Sequence, residues 1–284
     1  MTDKIKFKIG ETYMKDKINI GLIGLGGRGI GLLKLFLLHQ DVNIIAVCDS
    51  YEDRCEEAAK LIEEAGQQQP YKSVDYNDII AIDKVNAIIL CTSWDNHIDI
   101  AIQAMEAGKY VGCEVGGAYS ITQCWKLIDA YERTKVPVMM LENCIYGREE
   151  LMILNMVKLG LFGEVVHCSG GYLHDLREEV ALGKENRHYR LNNYIHRNAE
   201  NYPTHELGPI ARILDINHGN RMLTLTSMAS KARGLKEYIK SNKPDDKELL
   251  ETEFNQGDVV NTFIKCANGK TILLTLDTTL DRKS

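Results

Sequence analysis

Residues 17–29 read KINIGLIGLGGRG, an apolar run that enters G-x-G-x-x-G at Gly24, Gly26 and Gly29. Ile30, Leu32, Leu33, Leu35, Phe36 and Leu37 follow with the crowding of a buried helix face. Few folds turn a strand through glycines directly into a helix. The first glycine permits a tight turn, the second lets backbone N–H groups approach a phosphate, and the third lets helix and strand pack closely. The helix N-terminus adds free N–H donors and a positive dipole end. Alone, the motif also fits an ordinary glycine-rich turn. The sequence that follows decides, because residues 43–49 form a second apolar run ending in Asp49. An acid about 20 residues past the last glycine is where a dinucleotide-binding unit meets the adenosine ribose. A carboxylate there repels a 2′-phosphate, which favours NAD over NADP.

From residue 18 to residue 143, apolar β-like runs alternate with amphipathic helical ones. Helices are predicted over 52–65, 95–107 and 121–135, and strands over 85–92, 110–115 and 136–142. Alternation of this kind predicts parallel βαβ units, right-handed crossovers and a ligand crevice at the carboxyl ends of the strands. The expected fold class is α/β. An N-terminal Rossmann, doubly wound parallel sheet occupies 1–145, and an α+β domain with a largely antiparallel sheet occupies 146–284. Strand ends at 92–97, at Glu114-Val115-Gly116-Gly117 and at Glu142-Asn143 should line the crevice.

With 284 residues, the chain is long enough for two cores. Its 34 basic and 40 acidic side chains are interspersed and sum to −6, which argues against a nucleic-acid partner. The eight cysteines stand singly without a C-x-x-C pair, as expected of reduced thiols. No His/Cys/Asp spacing matches a metal site, so no metal is expected. Apolar runs are too short to span a membrane and the N-terminus has no apolar leader, so a cytoplasmic protein is expected.

The second half is less periodic. Residues 1–16 are a polar lead-in, read as a strand or arm, whereas 148–159 form a helix and 164–172 a strand. Periodicity is then lost over 174–201, a stretch that collects His188, Tyr189, Arg190, Tyr194, His196 and Arg197. Long irregular segments in compact domains are usually functional or mobile. Thr204 is expected to cap a helix running to 216. Strands over 222–229, 259–266 and 271–276 follow, the last two joined by a two-residue Asn268-Gly269 hairpin, with a charged loop or partial helix over 236–258.

Tyr202-Pro-Thr-His205 is the sharpest local cluster after the glycine loop. The helix dipole opposes added positive charge on His205, and a neutral imidazole beside a tyrosine can move protons. A simple cap with a packed ring has the same spacing. Tyr172 and His174, two apart, share a strand face near Arg177. Arg190 can fork onto a phosphate or sugar hydroxyls, or close a surface ion pair.

Through its glycine loop, residues 92–97 and Glu114-Val115, the chain resembles the Gfo/Idh/MocA superfamily. Residues 171–177, His188-Tyr-Arg190, residues 201–209 and Arg221-Met222 narrow the resemblance to glycoside hydrolase family 109, the NAD-dependent α-N-acetylgalactosaminidases. It spans residues 17–280. By matched position it implies that Arg28, Gly29, Asp49, Trp94 and His97 hold NAD, together with Glu114, Val115 and Asn143. It also implies sugar contacts from Tyr172, Arg190, Tyr202 and His205. Proton transfer would fall to Tyr202 and His205, with Tyr172 as helper. The implied substrate is a small molecule or glycan ending in N-acetylgalactosamine, and the implied assembly is a homo-oligomer.

The implied mechanism oxidises the sugar at C3, removes the C2 proton, eliminates the aglycone, adds water and returns the hydride, so that the net reaction is hydrolysis. Superfamily dehydrogenases carry Glu-Lys-Pro where this chain has Glu114-Val115-Gly116, which turns the reading away from a simple dehydrogenase. Relatives continue past residues 277–279 with a further sugar-contacting tyrosine, so the second domain is expected to be C-terminally truncated. A sugar oxidoreductase on the same scaffold, or an inactive NAD- or sugar-binding homologue, are the alternatives.

Overall fold

The computed structural model describes residues 17–279 and the short strands β1 (Lys8–Ile9) and β2 (Thr12–Tyr13), which pair antiparallel. The remainder of the expected lead-in, and residues 280–284, lie outside the described residues. The chain divides into two units, residues 1–141 and 142–284.

In the first unit the elements follow as β3 (Ile18–Ile23), α1 (Gly27–Phe36), β4 (Val42–Cys48), α2 (Glu52–Glu64), β5 (Tyr71–Ser73) and α3 (Tyr76–Ile80). Then come β6 (Ala87–Leu90), α4 (His97–Glu106), β7 (Tyr110–Cys113), α5 (Ile121–Thr134) and β8 (Val138–Met140). The six strands form one parallel sheet in the order β5-β4-β3-β6-β7-β8. Strand side chains alternate between faces, so β3 sends Leu22 to one core and Ile23 to the other. Leu22 packs with Leu33, Ile44 and Ile62 beneath α1 and α2. Ile23 packs with Ile79, Met105 and Ala130 beneath α3, α4 and α5. Helices on both faces explain why these strands read as unbroken apolar runs. The chain reverses direction across the sheet between β3 and β6, the place where doubly wound folds bind ligands.

The predicted 95–107 helix is a 3₁₀ turn at Trp94–Asn96 followed by α4, and the 136–142 strand shortens to β8. β5 and α3 had no sequence counterpart; at three and five residues they are too short to show a period.

The second unit runs α6 (Arg148–Lys158), β9 (His167–Leu173), α7 (Arg177–Ala181), α8 (Arg190–His196), α9 (Thr204–Ile213) and β10 (Met222–Ala229). It continues with α10 (Gly234–Asn242), α11 (Lys247–Glu251), β11 (Val259–Cys266) and β12 (Thr271–Asp277). Its four-stranded sheet has the order β10-β11-β12-β9, antiparallel except for the parallel β12–β9 pair. One face carries Ile264, Cys266, Ile272 and Leu274 against Ile210 of α9 and Leu214 just beyond it. Leu235 and Ile239 of α10 cluster instead with Val180, Leu191 and Tyr194.

Four expectations change here. The strand predicted from 164 starts at His167, and the stretch without periodicity holds α7 and α8. Thr204 does not cap α9: Pro203 occupies the N-cap, and the Thr204 hydroxyl has no hydrogen-bond partner among the described residues. The β11–β12 turn is longer than two residues. Cys266 N–H donates to Lys270 O, and Gly269 takes φ +86°, the left-handed position of a three-residue bulged hairpin. Among the described residues no helix is long and apolar enough to cross a membrane.

The glycine loop is a steric necessity. Gly24 has φ +93°, and a Cβ on Gly29 would stand 1.9 Å from Gly24 O. Gly31, two residues on, has nothing within 4 Å of its own Cβ position. Gly29→Ala should therefore lose about 2–3 kcal/mol of stability in denaturant unfolding. Gly31→Ala should gain up to about 1 kcal/mol through helix propensity alone.

Candidate functional site

The first unit builds a cradle where β3 ends. Gly24 N–H donates to Cys48 O at 2.8 Å and Ile30 N–H to Gly26 O at 2.9 Å, closing the loop at both ends. Asp49 is buried behind it. Its Oδ2 accepts from Leu25 N–H at 2.7 Å and its Oδ1 from Tyr51 N–H at 3.1 Å, with Arg54 Nη1 at 3.5 Å. Asp49, expected at the ribose, is thus also the brace of the loop. Arg54 offsets its charge, so repulsion of a 2′-phosphate is weaker than the bare carboxylate implies.

The cradle is open where phosphate would lie: a Cβ on Gly27 would meet nothing within 4 Å. Arg28 pairs with the buried Glu114 at 2.7 Å, and Glu114 Oε2 accepts from Val115 N–H at 3.2 Å. Gly116 has φ +112°, and the Trp94 ring occupies the place of its Cβ. Proline cannot adopt that φ. The departure from Glu-Lys-Pro is therefore built into the packing, with buried Val115 where the lysine would stand. His97 is enclosed, and burial lowers its affinity for a second proton. Its Nε2 lies 3.0 Å from Thr92 O while Nδ1 has no hydrogen-bond partner among the described residues. An open glycine cradle and an orphaned ring nitrogen fit a bound dinucleotide. Asn143, also expected at the cofactor, belongs to the second unit, where it is exposed with Nδ2 3.9 Å from Cys144 Sγ.

In the second unit, Tyr172, Arg190, Tyr202 and His205 form one cluster. The Tyr202 ring lies 4.5 Å from Tyr172 and 4.7 Å, edge-on, from His205. The Arg190 guanidinium stands 5.3 Å from the Tyr202 ring and bonds the Tyr172 hydroxyl. Glu179 holds Arg190 Nε at 3.0 Å and His188 Nε2 at 3.5 Å. Buried Gln256 pins the approach to Tyr202: its Oε1 accepts from Ala199 N–H at 3.1 Å and Asn201 Nδ2 at 2.7 Å.

Glu142, expected as a strand end lining the cofactor crevice, has its oxygens 2.7 and 2.9 Å from His205 Nδ1. A carboxylate only accepts, so Nδ1–H donates, which in a neutral ring leaves the lone pair on Nε2. Gly208 makes this approach: a Cβ there would stand 2.6 Å from Ile145 Cγ2 and 3.2 Å from Glu142 Cγ. The strand-end rule pointed to Glu142, but what it holds comes from a contact 63 residues away.

Two more carboxyls lie close by. Burial, reinforced by Glu142, pushes the Glu206 carboxyl up to about 7, and among the described residues its oxygens have no hydrogen-bond partner outside its own backbone. Burial and then Glu206 push Glu200 up to about 8, offset only in part by backbone N–H groups of Tyr202 and Leu276. Burial and then Glu142 raise the Cys144 thiol to about 11.

Residues 18–142 match the oxidoreductase family with an NAD-binding Rossmann fold, and residues 146–283 match the C-terminal domain of glycosyl hydrolase 109. A glycosyl hydrolase family 109 protein of Shewanella sp. (strain W3-18-1) is 37% identical over 272 residues, 94% of this chain and 59% of that protein. A Shewanella oneidensis protein named alpha-N-acetylgalactosaminidase is 37% identical over 270 residues, 93% and 59% of the two chains. This chain thus spans about 59% of the length of these curated relatives. Scyllo-inositol dehydrogenase from Lactobacillus casei, solved with NAD(H) and scyllo-inositol, shares the fold with a TM-score of 0.69 at 14% identity, over 93% of this chain and 71% of that one. Myo-inositol 2-dehydrogenase from Lactobacillus plantarum has the same TM-score at 16% identity, over 93% and 71%.

The raised carboxyls set a sign for stability against pH. Their folded pKa values lie above the unfolded value of 4.5, so the folded state holds the protons more tightly. The stability they lend is complete below pH 4.5 and is lost as pH rises through about 7 and 8. Glu206→Gln and Glu200→Gln should each gain stability relative to wild type as pH rises past 7, and change little below 4.5, in unfolding midpoints measured across that range.

Proposed function

Because this chain belongs to the glycosyl hydrolase 109 family, on the Rossmann scaffold of the Gfo/Idh/MocA oxidoreductases, we propose that it cleaves terminal α-linked N-acetylgalactosamine with NAD as cofactor. The observation that carries this reading is the Glu142–His205 pair beside Tyr202. Residues of the first unit, Arg28, Asp49, Trp94, His97 and Glu114 among them, would hold the dinucleotide. When bound, it supplies reversible hydride exchange with a sugar carbon, which acidifies the neighbouring C–H.

The side chains of the second unit supply the proton chemistry. Glu142 anchors Nδ1–H, so His205 presents the Nε2 lone pair as a base and returns the proton as an acid. Tyr202, edge-on to that ring, is placed to relay a proton between the sugar and His205. Glu179 holds Arg190, and Arg190 orients the Tyr172 hydroxyl. Glu142 is already engaged by His205 Nδ1 and by Cys144 N–H at 2.8 Å, so it is poorly placed as the free carboxylate of a two-carboxylate glycosidase. Buried Val115, in the place of a lysine, weighs against a sugar dehydrogenase.

A nitrophenyl N-acetyl-α-galactosaminide assay with NAD⁺ tests the reading by following phenolate and NADH together. Phenolate should appear without net NADH. His205→Ala, Tyr202→Phe and Glu142→Gln should each lower the rate by about 100-fold or more, the last through the wrong imidazole tautomer. NADH accumulating without phenolate would overturn the proposal in favour of a dehydrogenase.

A further inference from the structure

Glu142, Cys144 and His205 bring a carboxylate oxygen, a sulfur and an imidazole nitrogen within 4.8 Å of one another. Glu142 and Cys144 lie at the entrance to the 3₁₀ turn Cys144–Tyr146, whereas His205 opens α9. Arg212 fastens the two segments by donating to Ile145 O at 3.0 Å. Glu142 is buried while Cys144 and His205 are partly exposed, so an ion can reach the set from solvent. No spacing motif announces it, because Glu142 and His205 stand 63 residues apart.

Tetrahedral zinc binds these ligand types at about 2.0–2.3 Å, which sets the donor atoms about 3.3–3.7 Å from one another. The His205–Glu142 contact at 2.7 Å has to open by less than an ångström, and no other pair of donor atoms in the set stands beyond 4.8 Å. A sulfur, nitrogen and oxygen set selects zinc over magnesium or calcium. We infer that Glu142, Cys144 and His205 form a Zn²⁺ site, its fourth position taken by water, and that the bound ion inhibits the enzyme. Zinc on Nδ1 moves the imidazole proton to Nε2, which removes the lone pair that the base needs. The inhibitory half rests on the role proposed for His205; the site itself does not.

Titrating the full, EDTA-stripped chain with Co²⁺ tests the site without turnover. A sulfur-to-cobalt charge-transfer band should saturate at one ion per chain and bleach with Zn²⁺. Cys144→Ser and Cys144→Ala should each lose it, while Cys124→Ser, which removes an exposed thiol of α5, should keep it. Absence of the band in wild type, or its survival in either Cys144 variant, would overturn the site. In the aryl-glycoside assay, Zn²⁺ should inhibit wild type at least about tenfold more tightly than Cys144→Ser. That variant should turn over normally in EDTA. Equal inhibition of the two would overturn the inhibitory role. A Cys144-dependent band in a chain without turnover upholds the site and counts only against the glycosidase reading.

Discussion

A buried carboxylate set against an imidazole nitrogen organises the second unit. Glu142 can accept but not donate, so its contact with His205 Nδ1 decides which face of the ring is chemically live. Everything nearby serves that contact or uses it. Gly208 lets the two segments approach, Gln256 holds the loop that carries Tyr202, and the Arg190–Glu179 pair fixes the Tyr172 hydroxyl beside it. Losing the carboxylate would leave the ring free to turn and the remaining groups aimed at nothing in particular.

The same device recurs in the first unit. Asp49 follows β4 and holds Leu25 N–H and Arg54; Glu114 follows β7 and holds Val115 N–H and Arg28. Each is an acid at the end of a strand, buried, accepting a backbone N–H and facing a cationic side chain. A parallel strand ends in carbonyls and N–H groups with no further ladder partner, and the charged acceptor there costs less because it takes an N–H and faces a cation. Function is added by what the acceptor holds: a glycine loop in one case, an imidazole in another.

Legibility in the sequence followed length and locality. β3, β4 and α1 could be read because their apolar residues run nearly unbroken on either side of glycines that have one steric solution. α7 and α8, of five and seven residues, carry too little period to register and were hidden in apparent irregularity. The cap expected of Thr204 failed because Pro203 holds the N-cap position, leaving the hydroxyl without a role in the helix. Tyr172, Arg190, Tyr202 and His205 were named from sequence, and the fold brings them together. Glu142 was named only as a strand end at the crevice, and Glu179 and Gln256 were not named, because a positioning residue carries no motif of its own. Its meaning lies in the tertiary contact.

The most direct test of this account is the tautomer of His205, read by ¹⁵N NMR of histidine-labelled, metal-free protein and assigned by loss of the signal in His205→Asn. A neutral ring protonated at Nδ1 is expected, its proton shifted downfield by the carboxylate, with loss of that preference in Glu142→Gln. A ring protonated at Nε2 in the wild type, or a spectrum indifferent to Glu142→Gln, would contradict it.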